Sequence, residues 1–139
     1  MKQVDKSGKK NKVGAYGEEI ACKYLKNKGH SILETNFLKK WGELDIVSRE
    51  TVESKDVIHF VEVKTVSYET VSHLQEAVSY GTWRPEENVH PKKLQRLHRT
   101  IESWLLERKY EGQWQIDVVS VRIVPREKYA TVKYIPNII

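Results

Sequence analysis

Val57-Ile-His-Phe-Val-Glu-Val-Lys-Thr65 is the stretch from which the rest of the chain can be read. Its β-branched residues and period-two alternation predict a strand. Val57, His59, Val61 and Val63 would share one face, and Ile58, Phe60, Glu62 and Lys64 the other. Both faces are largely apolar, which places the strand inside a sheet covered on both sides. An acid and a base, two residues apart, then end a buried strand on the same face. Charge there is costly unless it is met by its neighbour, a metal or a ligand.

Upstream, Glu43-Leu-Asp-Ile-Val47 reads as a second strand, and the polar stretch from Ser48 to Asp56 as a hairpin connection. A hairpin makes the two strands antiparallel, so Asp45 comes level with Glu62 if the register is right. The plain alternative is a solvated or mutually neutralised Glu62–Lys64 pair. Two clustered carboxylates repel unless a proton or cation lies between them. Oxygen donors with open positions favour Mg²⁺ or Mn²⁺ over zinc. A metal held there would polarise a phosphate and activate water, with Lys64 orienting that water or offsetting charge on the phosphate.

Before these strands, Val13, Ile20, Ala21, Tyr24 and Leu25 recur at helical spacing, and Gly29 supplies a stop. At about 100° per residue the stripe centres near Gly17 and Tyr24. Glu18 lies at its edge, where it either looks over the sheet or is a half-exposed helix glutamate. Glu19 points away and meets Lys23 four residues on. Ser31-Ile-Leu-Glu-Thr-Asn-Phe-Leu38 has strand character. Downstream, a short helix fits Val71 to Ser79, and the segment Gly81 to Asn88 reads as loop. Pro91 opens a helix to about Tyr110, with Leu94, Leu97, Ile101, Trp104 and Leu105 as its buried stripe. Strands follow at Ile116 to Val124 and Tyr129 to Ile135. The order α-β-β-β-α-β makes an α/β fold, a mixed sheet flanked by helices.

The 139 residues, 39% apolar and 31% charged, suit one domain over 13–139 behind a basic, disordered tail at 1–12. No apolar run approaches the roughly 20 residues of a membrane span. With no apolar leader near the N-terminus, a cytoplasmic protein is expected. Cys22 is the single cysteine, which excludes an internal disulfide and a cysteine zinc cage; it reads as a buried small hydrophobe. The net charge of +5 suits a polyanionic partner such as nucleic acid.

Asp45 followed by Glu62-Val63-Lys64 resembles the PD-(D/E)XK nuclease signature. The wider string resembles the YraN-like family of small bacterial proteins, themselves similar to Holliday-junction resolvases. The matching pieces are Gly14-x-x-Gly17-Glu18-x-x-Ala21, Gly42-Glu-Leu-Asp45, Phe60-Val-Glu-Val-Lys-Thr65, the lysine-led helix from Lys93, and Asp117-Val-Val119. The resemblance implies a restriction-endonuclease-like core, a Mg²⁺ or Mn²⁺ site at Asp45 and Glu62, Lys64 as catalytic lysine and Glu18 as an added acid. It also implies DNA, branched or structured, as substrate, and a homodimer. Leu44 stands in place of the signature proline, and Val66 where arginine is frequent.

Other residues carry two readings each. Glu43 is a solvated strand-end acid or a supporting acid, and Asp117 caps a turn or reaches the site. Lys92, Lys93, Arg96 and Arg99 make a solvated helix face or contact phosphates, with Lys93 the best candidate. Trp83 and Arg84 pack a loop or touch an unpaired base. His59 reads as a core histidine, and the five histidines show no metal-binding spacing. No nucleophile motif or glycine-rich phosphate loop is present.

Overall fold

The structure, a computed structural model, describes the backbone of residues 2–80 and 91–138 and the side chains of 12–78 and 91–138. Helix α1 spans Lys2–Asn27, and strands β1, β2 and β3 span Ser31–Lys39, Gly42–Val52 and Lys55–Ser67. Helices α2 (Val71–Tyr80) and α3 (Pro91–Arg108) follow, then β4 (Gln113–Val124) and β5 (Tyr129–Ile135). The side chains of the expected basic tail through residue 11, and the segment with Trp83 and Arg84 expected as a loop, lie outside the described residues. Among the described residues no helix is long and apolar enough to cross a membrane.

The five strands form one sheet in the order β1-β2-β3-β4-β5. All neighbours are antiparallel except β3 and β4, which run parallel. The strand Val57 to Thr65 thus lies in the middle, as its two apolar faces require. One face packs Ile58 and Phe60 with Leu44, Val47 and the α3 residues Leu97, Ile101 and Trp104. The other packs Val61 with Ile46, Val119, Val121 and the α1 residues Ala21 and Leu25. The mixed α/β architecture with helices on both sides agrees with the expectation.

Two local differences have physical causes. The β2–β3 connection was expected across Ser48 to Asp56, but pairing continues to Val52↔Lys55. Glu53 and Ser54, with φ of 50° and 68°, make the tight turn. Positive φ at both central residues matches the twist of a long ribbon. The sequence lacks the Asn-Gly or Asp-Gly signal that normally announces such a turn. Cys22 was expected buried; it is half-buried, at the margin of the α1-side cluster.

Helix α1 lies close on β3 because residue 17 is glycine. A Cβ there would stand 1.8 Å from Thr65 Oγ1 and 2.8 Å from Thr65 Cβ. Rotating Thr65 would relieve the first contact but not the second. Gly17→Ala is therefore expected to lift α1 and destabilise the protein by roughly 1–3 kcal/mol, read as a lower urea midpoint at unchanged slope. An unchanged midpoint would contradict this packing.

Candidate metal and phosphodiester site

The candidate site lies where the regular sheet breaks. Leu44 and Val47 pack in the α3-side cluster, whereas Ile46 packs in the α1-side cluster. Strict alternation would put Leu44 and Ile46 on one face. The slip falls at Asp45, and β1 bends beside it. There Asn36 adopts φ 54°, between the pairs Thr35↔Ile46 and Phe37↔Leu44. The β2–β3 ladder ends at Ile46↔Val61, while β3 remains paired with β4 to Ser67. Beyond Ile46 the sheet is split on one side of β3.

Asp45 fills the split. Its Oδ2 accepts a hydrogen bond from the Val63 N–H at 2.8 Å, so the donor released by the parting strands is satisfied. One step past the last pair, the register sets Asp45 against Glu62, so the hairpin delivers the alignment the sequence required. The bend rather than simple strand parity turns the Asp45 side chain toward β3. Burial first, then the charge of Glu62, with smaller pushes from Glu18 and Glu43, raises the Asp45 carboxyl to about pKa 7 against the lowering by the Val63 N–H. Glu18 is also raised, chiefly by partial burial, with Glu43 and Glu62 adding to it against a hydrogen bond from Asn36. Asn36 thus shapes the bend and holds Glu18, a role no motif signalled.

Lys64 Nζ lies 3.9 Å from Glu62 Oε2, and Lys93 Nζ lies 3.7 Å from the same oxygen. Burial lowers the Lys64 pKa, and the neighbouring Lys93 lowers it further, against Glu62 and Asp45. An open pocket of about 380 Å³ lies over Glu62, lined among others by Trp41, Gly42, Glu43, Lys93 and Arg96. Gly42 admits α3 at this point, since a Cβ there would stand 2.5 Å from Thr100 Oγ1. Lys92 and Arg96 are exposed, and Glu43 is exposed. Arg99 instead stacks over Trp41, 4.2 Å from the ring centroid. The bend thus joins Asp45, Glu62 and Lys64 with Glu18 and Lys93.

The Asp45 shift has a definite sign in stability. An unfolded aspartate ionises near pH ~4, whereas the folded one holds its proton to about 7. Its contribution is complete below the unfolded value and is lost as pH rises through the folded value. In chelator, Asp45→Asn is expected to flatten this loss and to exceed wild type by roughly 2–4 kcal/mol at about pH 8. Asparagine keeps an oxygen for the Val63 N–H. Urea midpoints across pH check this; a variant less stable than wild type above neutral pH would contradict it.

One expectation is corrected on the opposite side of β3, and another is extended. Asp117 does not sit at a strand start capping a turn; it lies fully buried within β4. It accepts hydrogen bonds from the Tyr134 hydroxyl (2.6 Å), the Gln115 amide (2.8 Å) and the Asn137 N–H (2.9 Å), and meets His59 Nδ1 at 2.6 Å. Burial alone would raise its pKa, but these four bonds hold it low. His59 is the buried core histidine expected, and both its ring nitrogens are met, since its Nε2 lies 3.0 Å from Glu50 Oε1. Burial disfavours its charge, but Asp117 and Glu50 outweigh burial and raise its pKa.

Similarity to known proteins extends over the acidic site and its lysines. The model described as Uncharacterised protein family UPF0102 matches residues 17–121, which include Glu18, Asp45, Glu62, Lys64, Lys93 and Asp117. A UPF0102 protein of Thermotoga petrophila is 38% identical over 104 residues, covering 75% of this chain and 81% of the relative. One from Alkaliphilus oremlandii is 36% identical over 119 residues, covering 84% and 89%. One from Campylobacter lari is 33% identical over 108 residues, covering 78% and 81%. The chain therefore belongs to the UPF0102 family, the YraN-like family its motifs resemble.

Proposed function

We propose that this protein is a metal-dependent nuclease acting on DNA phosphodiesters, with branched or structured DNA as its substrate class. The observation that carries the reading is the convergence of Asp45, Glu62 and Lys64 at the split between β2 and β3. Asp45 holds its proton to about pH 7 beside other acids, so the donor set suits a hard cation in place of that proton. Asp45, Glu62 and Glu18 would hold Mg²⁺ or Mn²⁺. Such an ion, when bound, lends positive charge to a phosphate and makes water a stronger nucleophile.

The remaining work falls to the chain itself. Lys64, held partly buried beside Glu62, would orient the attacking water or offset charge that builds up on the phosphate. Lys93 and Arg96, across the pocket mouth, would hold the flanking backbone, with Lys92 beside them on the helix. A junction has two scissile strands, so a homodimer belongs to the same reading. The order of helices and strands supports the restriction-endonuclease-like core that the motif resemblance implies.

A binding module without hydrolysis is the second reading. It is favoured by one observation: two lysines already meet Glu62, which neutralises part of the acidic charge. Incubating the protein with four-way-junction and linear DNA in Mn²⁺ separates the two. Cleavage that is lost in Lys64→Ala supports the nuclease. Binding with no cleavage, or cleavage indifferent to Lys64, supports the module and overturns the nuclease.

A further inference from the structure

We propose that His30, Glu50 and His59 form a binding site for one transition-metal ion of the zinc class, separate from the acidic site. The three come from different elements. His30 follows the end of α1, where Gly29 (φ 96°) turns the chain and the His30 N–H returns to Leu25 O at 2.9 Å. These bonds, with Gly29 N–H to Lys26 O, form a Schellman closure that fixes the backbone of His30. His59 lies in the centre of β3, opposite Ser48 of β2. Glu50 is two residues beyond Ser48, on the same face of β2.

The side chains are aimed at one point. His30 Nε2 lies 3.7 Å from Glu50 Oε1, and His59 Nε2 lies 3.0 Å from the same atom. All three ligand atoms fall within 4.8 Å of one another. Ligands about 2.0–2.1 Å from a tetrahedral ion stand about 3.3 Å apart, and the 3.0 and 3.7 Å spacings to Glu50 bracket that value.

The outward nitrogens strengthen the assignment. His59 Nδ1 faces Asp117 Oδ2 at 2.6 Å, and His30 Nδ1 faces Ser48 Oγ at 2.9 Å. Asp117 is a committed acceptor, held by Tyr134, Gln115 and the Asn137 N–H, so the His59 proton resides on Nδ1. In the ion-free protein a second proton on Nε2 bridges the 3.0 Å contact to Glu50; a bound ion would take that proton's place and meet a neutral imidazole. With Nδ1–H of His30 donating to Ser48, its Nε2 lone pair is turned toward the same point, 3.7 Å from Glu50 Oε1. A carboxylate–histidine contact of this kind is how proteins orient metal-binding imidazoles.

The donor set selects the ion. Two imidazoles and a carboxylate suit zinc and its neighbours rather than Mg²⁺. The imidazoles are almost fully enclosed, at 1% and 3% exposed, and Glu50 at 35% provides the opening to solvent. That single opening suits a water as fourth ligand of a tetrahedral ion better than the several open positions of an octahedral site. Asp45 and Glu50 are five strand residues apart, on the order of 17 Å. The bound ion would tie the end of α1 to β2 and β3, and by binding only the folded chain it would raise its stability.

The test uses the full chain carrying Asp45→Asn, so that the acidic site does not contribute. After chelator treatment, the protein is dialysed against Zn²⁺ or Co²⁺ near neutral pH. Expected results are one Zn²⁺ per chain, a higher melting temperature, and the visible absorption of Co²⁺ in a low-coordinate site. Glu50→Gln, isosteric and partly exposed, should abolish all three while melting cooperatively in chelator. Ser48→Ala should weaken binding about 10- to 100-fold by freeing the His30 ring. Absence of stoichiometric Zn²⁺, as when a proton on His59 fills the gap, overturns the proposal. So does binding that Glu50→Gln leaves unchanged.

Discussion

Lys64→Ala is expected to lower Mn²⁺- or Mg²⁺-dependent DNA cleavage by about 10²- to 10³-fold, the usual effect of removing one group that stabilises developing charge. The fold should survive, because Lys93 remains 3.7 Å from Glu62 to offset the carboxylate. The loss should fall on kcat, since Lys64 acts on the reacting phosphate rather than on the flanking backbone. Lys93→Ala should behave differently. It lines the mouth of the pocket at 40% exposed, so its loss should raise KM and reduce the salt dependence of binding more than it lowers kcat. Equal effects of the two substitutions on both constants would contradict the separate roles.

Asp117→Ala is expected to cost about 3–5 kcal/mol, the range for removing one partner of a buried charged pair. His59, Tyr134, Gln115 and the Asn137 N–H would all lose the same acceptor. Alanine also leaves a cavity in a strand with full burial at this position. A chain of this size should melt roughly 10–17 °C lower. Asp117→Asn should cost less, because it keeps one oxygen to accept a hydrogen bond. Measured in chelator, a loss within about 1 kcal/mol would show that the network contributes little.

The central strand was legible because Val57 to Thr65 carries two apolar faces and its charges at one end. That pattern placed the strand at the centre of the sheet and set Glu62 and Lys64 on one side. The phase of α1 likewise separated Glu18 from Glu19, and Glu19 indeed pairs with Lys23 at 3.5 Å. The bend at Asn36 and Asp45 was not legible. Positive φ at asparagine is tolerated in many settings, and its effect depends on two strands yielding at the same point. The motif therefore named Asp45 without explaining how it leaves the regular ladder.

The cluster around His59 was illegible for another reason. His30, Glu50, His59 and Asp117 are spread over nearly ninety positions, at spacings no helix or loop motif produces. Their union depends on the β2–β3 register and on the parallel pairing of β4, which sets Val61 beside Asp117. Alternation alone allowed only that His59 points to an apolar face. A weak signal was present: Ser48, Glu50 and His59 lie on facing arms of one hairpin. Placing them together required the tight turn at Glu53 and Ser54 that the sequence did not announce.

The measurement closest to the central claim is the melting of wild type and Asp45→Asn, near pH 8, in chelator and in millimolar Mg²⁺. In chelator the variant should melt higher, because the buried carboxylate no longer faces Glu62 and Glu18. In Mg²⁺ wild type should rise and the variant should not, so the gap closes or reverses. Equal shifts in the two proteins, or a variant that melts below wild type in chelator, would contradict a metal site built on Asp45.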